Sequence, residues 1–453
     1  MPDKNYSAYT VVVIGAGPAG LFAARQLANS GVQVALLNRD IKAGGLAEYG
    51  IYPDKLKMKN GLRRQFRKIL DLPNLEYFGN LPVSLDDELS LTDLQAVGFD
   101  AILVTVGAQG TKRLGLPGEE LPGVHHAKDL VYYYNHLPPF SQQSFPIGKR
   151  VACIGVGNVM MDIAHWGIRA LKVDEVIAIA RRGPGDVKFA KQEMEIVARN
   201  LDLAALDAEF ERTAPVMRSV GQDPEAAKTF ITSALERAEE PVSETRFSFQ
   251  FLASPNRMLA DERGHVRAIE VENTDLVAGP DSKTKSVDLG TFREIPCDTV
   301  VFCIGDRVDA GLGLPLDKWG DYAKNPKPRF PVDETSYEAY NPELQQPLEG
   351  VFLAGWARLA SNGLVGTARK DGTNAALAVI SYLETTTPKA AGGLDLFSEK
   401  AAQLENPIVD KTDLTKLEAV EAARAAELKL PEFKFDSNEE MLAAIGKLQR
   451  EKS

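Results

Sequence analysis

Two glycine-rich turns, each directly after an apolar strand, limit what this chain can fold into more than any other feature. The first, in VVVIGAGPAG, carries Gly15, Gly17 and Gly20 in the G-x-G-x-x-G spacing, and the second, in VACIGVGN, carries Gly155 and Gly157. Such glycines allow a tight bend and a close approach of the backbone to a pyrophosphate at a helix N-terminus. The sequence therefore predicts an α/β fold with two Rossmann-like, three-layer dinucleotide-binding domains, and two bound nucleotides that exchange electrons.

The pattern around each turn predicts a strand–helix–strand unit, over residues 10–38 and again over residues 149–182. Two apolar runs, FDAILVTVGA and IPCDTVVFCIG, end alike in a small residue and a glycine. From their positions we predict an outer domain whose two parts flank an inserted domain. Downstream of the second unit, the alternating stretches RFSFQFLA and VRAIEVEN favour an antiparallel meander.

These positions also predict the domain boundaries. The expected segments are residues 1–107 and 305–387 for the outer domain, 108–304 for the inserted domain, and 388–453 for a helical C-terminal extension.

The residue after the second strand of each unit contacts the ribose in folds of this type. The second unit has Arg181 and Arg182 there, and a guanidinium fork matches a 2′-phosphate, so we predict NADP rather than NAD. The alternative is two surface arginines at a strand end. The first unit has Asn38, which can bind a ribose hydroxyl only as a neutral partner or can merely cap the strand. Met160 stands where the second unit lacks the third glycine.

Composition excludes several classes of protein. The net charge of −11 argues against a nucleic-acid-binding protein, and no apolar run approaches the roughly 20 residues of a membrane span. The three cysteines, Cys153, Cys297 and Cys303, form neither a C-x-x-C pair nor a metal-ligand set, so we expect inert thiols and no metal. The start of the chain leaves no room for a leader, which favours a cytoplasmic location.

One stretch, residues 55–68, is basic and contains no acid. A patch of this kind docks an acidic partner or is simply a solvated helix face. Its basic residues are Lys55, Lys57, Lys59, Arg63, Arg64, Arg67 and Lys68.

Taken together, the motifs resemble the adrenodoxin-reductase type of ferredoxin–NADP reductase, a flavoprotein family related to the glutathione-reductase-like enzymes. The likeness runs almost end to end and includes GGLAEYGIYPDKLKMKN, LGLPGEELPGVHHAKDLVYYYN, AGWARLASNGLVGTARKDG and the tail phrase PEFKFDSNEEML. The resemblance implies FAD in the outer domain, NADPH in the inserted domain, and transfer of electrons to an acidic ferredoxin-like iron–sulfur protein. The sequence leaves the oligomeric state open, with a monomer favoured.

The resemblance also implies which residues hold the two cofactors. Glu193 would face the nicotinamide, and Lys55 would stand near the flavin where the family often has histidine. The cofactor-binding residues carried over by position are Gly15, Gly17, Pro18, Ala19, Gly20, Asn38, Gly45, Leu46, Gly107, Gly155, Gly157, Asn158, Val159, Arg181, Arg182, Glu193, Trp356, Gly363, Leu364 and Val365.

Three departures from the family pattern touch the flavin site: Asn38 for an acid, Lys55 for histidine, and the loop Arg-Leu-Ala-Ser-Asn-Gly after Trp356. They keep two alternatives open. One is an NADPH diaphorase that reduces quinones or other small acceptors. The other is a flavin-binding regulatory protein with little turnover.

Overall fold

The computed structural model describes residues 6–279, 283–361, 363–389 and 393–448. The chain divides into two compact units: unit 1 comprises residues 1–111, 132–142 and 305–453, and unit 2 comprises residues 112–131 and 143–304. Unit 1 also includes the region from residue 393, within which the sequence predicts a helical C-terminal extension.

The strands, in chain order, are β1 (Thr10–Ile14), β2 (Gln33–Leu37), β3 (Leu75–Phe78), β4 (Ala101–Val104), β5 (Gly110–Thr111), β6 (Val124–His126), β7 (Arg150–Ile154), β8 (Glu175–Ile179), β9 (Arg246–Gln250), β10 (Ala253–Ala260), β11 (Val266–Ala278), β12 (Thr284–Pro296), β13 (Thr299–Phe302), β14 (Asp306–Arg307), β15 (Glu338–Asn341) and β16 (Gln346–Leu353). The α-helices are α1 (Pro18–Asn29), α2 (Leu46–Tyr49), α3 (Leu56–Leu70), α4 (Leu91–Val97), α5 (Ala127–Tyr134), α6 (Asn158–His165), α7 (Lys191–Glu195), α8 (Leu203–Ser219), α9 (Pro224–Thr232), α10 (Val365–Leu383), α11 (Gly393–Ala401), α12 (Lys411–Leu428) and α13 (Asn438–Ala444).

Unit 1 is built on a sheet with the strand order β15-β16-β4-β1-β2-β3. The strands from β16 to β3 are parallel, and only β15 runs antiparallel to its neighbour. Both faces of the sheet are covered, because alternate residues of β1 enter different apolar clusters: Val11 and Val13 pack in one, Val12 and Ile14 in the other. A continuous apolar strand is what burial on both faces requires.

The C-terminal helices of unit 1 join the first of these clusters. Leu414 and Leu417 of α12 and Met441 of α13 are buried there with residues of β1 and α1. α12 begins with a capping box between Asp410 and Asp413, which satisfies the free amides of its first turn.

Unit 2 contains a parallel sheet in the order β6-β13-β7-β8-β9 and an antiparallel sheet in the order β10-β11-β12. The prediction of a meander is confirmed for VRAIEVEN, which lies in β11, and wrong for RFSFQ. The latter is β9, which pairs in parallel with β8. Its Phe-Ser-Phe alternation is misleading, because Ser248 is buried as well as Phe247 and Phe249. The α/β class with Rossmann-like parallel sheets is confirmed.

Candidate functional site

The first glycine loop, between β1 and α1, is shaped by close backbone contacts. Gly15 has φ +105°, and a Cβ added to it would lie 2.7 Å from the carbonyl oxygen of Thr105. A Cβ on Gly20 would lie 1.9 Å from the carbonyl oxygen of Gly15. Around Gly17, by contrast, no atom in the described part of the chain lies within 4 Å of such a Cβ. The loop therefore packs tightly on one side and leaves an open cradle at Gly17.

The start of α1 suits a phosphate at this cradle. The helix begins at Pro18 with Ala19 next, has no side-chain cap, and has no acidic residue in its first turn. Its free amides and its dipole are consequently left to attract an anion.

A second loop of unit 1 lies against the same cradle. The amide of Gly44 donates to the carbonyl oxygen of Ala16 (2.8 Å), and a Cβ on Gly45 would lie 3.0 Å from the Cα of Gly17. Gly45 has φ +50° and leads directly into α2 at Leu46. The structure therefore brings Gly45 and Leu46 to the glycine loop, although the sequence separates them by almost 30 residues.

The Asn38 side chain is used within the protein. It is 6% exposed; its Oδ1 accepts from the amide of Ala16 (3.0 Å), and its Nδ2 donates to the carbonyl oxygens of Asp40 (2.8 Å) and Lys42 (3.0 Å) and to Tyr77 (3.3 Å). Both amide hydrogens are thus engaged, so the direct ribose contact expected of this side chain has no free donor. Asn38 instead ties the glycine loop to the loop after β2.

The loop that leads into α10 also lies against α1. A Cβ on Gly355 would lie 2.6 Å from the Cβ of Ala19, and one on Gly372 would lie 2.0 Å from the carbonyl oxygen of Ala19. Trp356 is half-buried in a 3-10 helix, Gly355–Ala357. The start of α10 is open, since Leu364 is 69% exposed and the helix has no side-chain cap.

Asp371 holds this loop in place, and the sequence reading missed it. Its carboxylate accepts from the amide of Gly355 (2.6 Å), from the Arg358 guanidinium and from the Tyr337 hydroxyl (3.3 Å). An acid in the middle of a helix gives no sequence signal of its own, because its partners lie 13 or more residues away in the chain.

The remaining predicted residues of unit 1 take simpler positions. Gly107 has φ +76°, and Gly363 has φ +80°, a conformation that favours glycine. Val365 is the first residue of α10 and is half-buried. Lys55 is half-buried at the N-cap of α3, where its side chain caps no amide.

The second glycine loop, between β7 and α6, repeats the cradle. Gly155 has φ +119°, and a Cβ added to it would lie 2.5 Å from the carbonyl oxygen of Cys303. A Cβ added to Gly157 would again meet no atom of the described residues within 4 Å. Val159, in the first turn of α6, is 40% exposed. Met160 takes the place of the third glycine and is completely buried.

Two hydrogen bonds connect this loop to the segment that carries Glu193. The Oδ1 of Asn158 accepts from the amide of Ala190 (2.7 Å), and the amide of Lys188 donates to the carbonyl oxygen of Val156 (2.9 Å). Glu193 follows in the first turn of α7 and is half-buried. The structure therefore brings Asn158 and the Glu193 helix together.

The two arginines after β8 differ in their surroundings. Arg181 is exposed, and no ion pair to it exists among the described residues. Arg182 is half-buried and has its Nη1 3.4 Å from the Asp186 carboxylate, which also accepts from Thr284 and Gln222. Of the pair, Arg181 is the side chain available to an incoming phosphate.

The basic stretch of α3 is largely internal. Lys59 is 1% exposed and faces Glu432 (3.6 Å), Arg63 binds Glu48 (2.6 Å) and Glu432 (2.5 Å), and Arg67 pairs with Glu418. Lys57, Arg64 and Lys68 remain exposed. Their spacing of seven and four residues places these three cations on one face of α3.

The described residues contain neither a candidate metal site nor a candidate membrane span. No group of three His, Cys, Asp or Glu side chains there could hold a metal ion. No helix in the same part of the chain is long and apolar enough to cross a membrane.

Comparison with known proteins agrees with this geometry. Residues 9–193 match the family model described as pyridine nucleotide-disulphide oxidoreductase. The chain is 26% identical to NADPH-ferredoxin reductase FprA of Mycobacterium leprae over 97% of its length and 99% of the relative's. It is 26% identical to the mitochondrial NADPH:adrenodoxin oxidoreductase of Arabidopsis thaliana, over 96% of this chain and 95% of that one.

Solved structures show the same relationship. A variant of FprA from Mycobacterium tuberculosis superposes with a TM-score of 0.79 at 26% identity, covering 96% of this chain and 99% of the other. FprA of the same organism in complex with NADPH has the same fold, with a TM-score of 0.79 at 24% identity over 96% and 99% of the two chains. The chain therefore belongs to the adrenodoxin-reductase/FprA-type family of NADPH-dependent flavin oxidoreductases.

Proposed function

We propose that this protein holds FAD at the first glycine loop and NADPH at the second, and passes electrons to an acidic ferredoxin-like iron–sulfur protein. The observation that carries the proposal is the pair of open cradles at Gly17 and Gly157, each at the start of a helix without a side-chain cap. Such a cradle suits a dinucleotide phosphate because, among the described residues, no atom lies within 4 Å of a Cβ built on either glycine. When bound, the nicotinamide supplies a hydride and the flavin releases it as single electrons.

The chain's own residues would bind and orient these groups. Gly45, Leu46 and the amides at the start of α10 would line the FAD site, with Trp356 beside them. Asn158 would keep the α7 segment in place so that Glu193 faces the nicotinamide. Lys55 would place a positive charge near the flavin, and this charge would stabilise the anionic form of the reduced flavin.

The exposed Arg181 supports NADPH rather than NADH as the donor. An unpaired guanidinium can form charge-assisted hydrogen bonds to a 2′-phosphate without first breaking an internal ion pair. The test is anaerobic addition of NADPH, and separately NADH, to the purified protein while the flavin absorbance is followed. Rapid bleaching by NADPH alone is expected. A bound flavin that NADPH does not reduce would instead support the regulatory alternative.

The exposed face of Lys57, Arg64 and Lys68 supports an acidic protein partner. The chain as a whole is negative, so an acidic protein needs a local positive surface to dock. These three side chains have no ion-pair partner in the part of the chain that the structure describes, unlike Arg63 and Arg67. Reversing Arg63 or Arg67 would break internal contacts, so those residues cannot test docking.

The docking test replaces Lys57, Arg64 and Lys68 by glutamate together. We expect slower reduction of ferredoxin, an effect that weakens as salt is added, and unchanged reduction of ferricyanide. A matched control reverses three exposed lysines elsewhere, Lys283, Lys285 and Lys327, which changes the net charge equally. Equal loss in both variants would remove the docking claim. A wild-type rate with small acceptors as fast as with ferredoxin would favour the diaphorase alternative.

Disulfide reduction, which the family model's name suggests, is disfavoured for this chain. Burial raises the pKa of Cys297 to about 12 and holds the pKa of Cys303 well above its usual range. The thiolate is the reactive form in disulfide exchange, so these thiols are poor nucleophiles at neutral pH.

A further inference from the structure

We infer that Lys434, in the tail phrase PEFKFDSNEEML, is a positioning residue that holds the 44–49 loop against the first glycine loop. The inference rests on the proposed FAD site and adds a residue that lies almost 400 positions from it in sequence. Lys434 is 7% exposed, and its ammonium group contacts the C-terminal end of α2 rather than solvent.

The contacts of Lys434 converge on α2. Its Nζ donates to the carbonyl oxygens of Glu48 (3.0 Å) and Asn135 (3.3 Å), lies 3.0 Å from the Glu48 carboxylate, and stands 4.8 Å from the centre of the Tyr49 ring. α2 has only four residues, and Gly45 at its start touches Gly17. The hydrogen bond from Lys434 to Glu48 therefore restrains the whole segment from Gly45 to the end of α2.

The segment around Lys434, residues 432–436, is itself fixed at several points. Asp436 accepts from the Ser141 hydroxyl through its carbonyl oxygen (2.6 Å) and faces His136 through its carboxylate (2.7 Å). Glu432 faces both Lys59 (3.6 Å) and Arg63 (2.5 Å) of α3. Residues other than those of α2 therefore fix the position of the Lys434 ammonium group. For this reason the ammonium group can restrain α2 rather than simply follow its movements.

The charges around Glu48 explain why this arrangement persists in a buried place. Glu48 is 3% exposed and contacts Arg63, Lys434 and Lys42, whose Nζ is also 2.6 Å from Glu421 of α12. A buried charge is tolerated only when it is paired and hydrogen-bonded, and here both signs alternate through the cluster. A cavity of about 260 Å³ lies beside it, between α3 and α12.

The test compares Lys434→Met, Lys434→Gln and Lys434→Arg, with Lys327→Met as an exposed control. Hydrogen exchange of the amides at residues 44–50 is measured on the full chain, together with the dissociation constant of FAD. We expect Lys434→Met to speed exchange at these amides and to weaken FAD binding by about tenfold or more, with Lys434→Arg restoring most of both. The amides of β1 and β2 should be unaffected.

The outcomes separate this inference from the proposed function. Unchanged exchange at residues 44–50 in both Lys434→Met and Lys434→Gln would overturn the positioning role, whatever FAD does. If the wild-type protein binds no FAD but Lys434→Met still speeds exchange at residues 44–50, the role of Lys434 on the loop stands and the proposed cofactor is wrong. If Lys434→Met does not fold, Lys434→Gln, which keeps an N–H donor, decides the matter by the same measurement.

Discussion

The two glycine loops share a motif and differ in how the protein supports them. The first is bound from several sides: Gly20 brings α1 onto the loop, Asn38 ties it to the loop after β2, and Gly45 lies against Gly17. The second has Met160 in place of the close-packing glycine, and its ribose side presents the exposed Arg181. The same backbone cradle can thus be held by many contacts or by few. Under the proposed function, the first arrangement suits the resident FAD and the second suits NADPH, which must leave after each turnover.

The electrostatic support of the first loop is expected to give the largest effect. Glu48→Gln leaves Lys42, Arg63 and Lys434 around a neutral amide, which should lower the free energy of unfolding by about 3–5 kcal/mol at neutral pH. Denaturant unfolding of the wild type and the variant measures this. A similar loss in Glu175→Gln, a surface ion pair of unit 2, would contradict the contrast between the loops.

The difference in unfolding free energy between wild type and Glu48→Gln should depend on pH. Lys42, Lys434 and Arg63 outweigh the effect of burial and hold the pKa of Glu48 well below its usual value of 4.5. Because the folded state then binds fewer protons, this stabilisation is present above pH 4.5 and is lost as the pH falls through the lowered pKa. The difference between wild type and Glu48→Gln should therefore shrink in acid. A difference that grows below pH 4.5 would contradict the assignment.

The close packing at Gly20 gives the next largest effect. Gly20→Ala places a methyl group 1.9 Å from a backbone oxygen that cannot move aside, so we expect a loss of about 3 kcal/mol of stability. Gly17→Ala is the matched control, since its methyl group meets no described atom within 4 Å and should affect FAD binding more than unfolding. Thermal unfolding of both proteins without added nucleotide distinguishes them.

Asn38→Asp restores the acid that the family pattern favours, but we expect this substitution to destabilise the folded protein. A carboxylate cannot donate to the carbonyl oxygens of Asp40 and Lys42, so about 2–3 kcal/mol of stability should be lost. Unfolding experiments and FAD affinity check this together. Unchanged stability with tighter FAD binding would show that Asn38 contacts the ribose directly.

Arg181→Ala should have the smallest effect, confined to one ligand. Loss of a charge-assisted bond at an exposed site is expected to cost about 1.5 kcal/mol, so KM for NADPH should rise about tenfold while KM for NADH stays the same. Arg182→Ala should raise KM for NADPH less, because Arg182 already faces Asp186. Steady-state kinetics with both nucleotides make the comparison.

Much of this could be predicted from the sequence because the relevant physics is local. A glycine between an apolar strand and a helix, or an arginine pair after the next strand, indicates the same local structure whatever the rest of the fold, because the residues involved are close in sequence. The α/β class, the βαβ units and the family followed from such signals. The parallel pairing of β9 did not, because a buried serine between two phenylalanines gives the same alternation as a half-exposed strand.

Long-range pairing was decided only by the tertiary structure. The sequence alone determined that the chain has two cradles and that α3 is rich in cations. It could not show that Lys59, Arg63 and Arg67 face acids of the C-terminal segment, nor that Asp371 and Lys434 support loops far from them in sequence. The type of a charged residue does not reveal whether its side chain contacts solvent, a partner protein or a buried counter-charge. Only the fold places that counter-charge, and with it decides which cations are structural and which are left for binding.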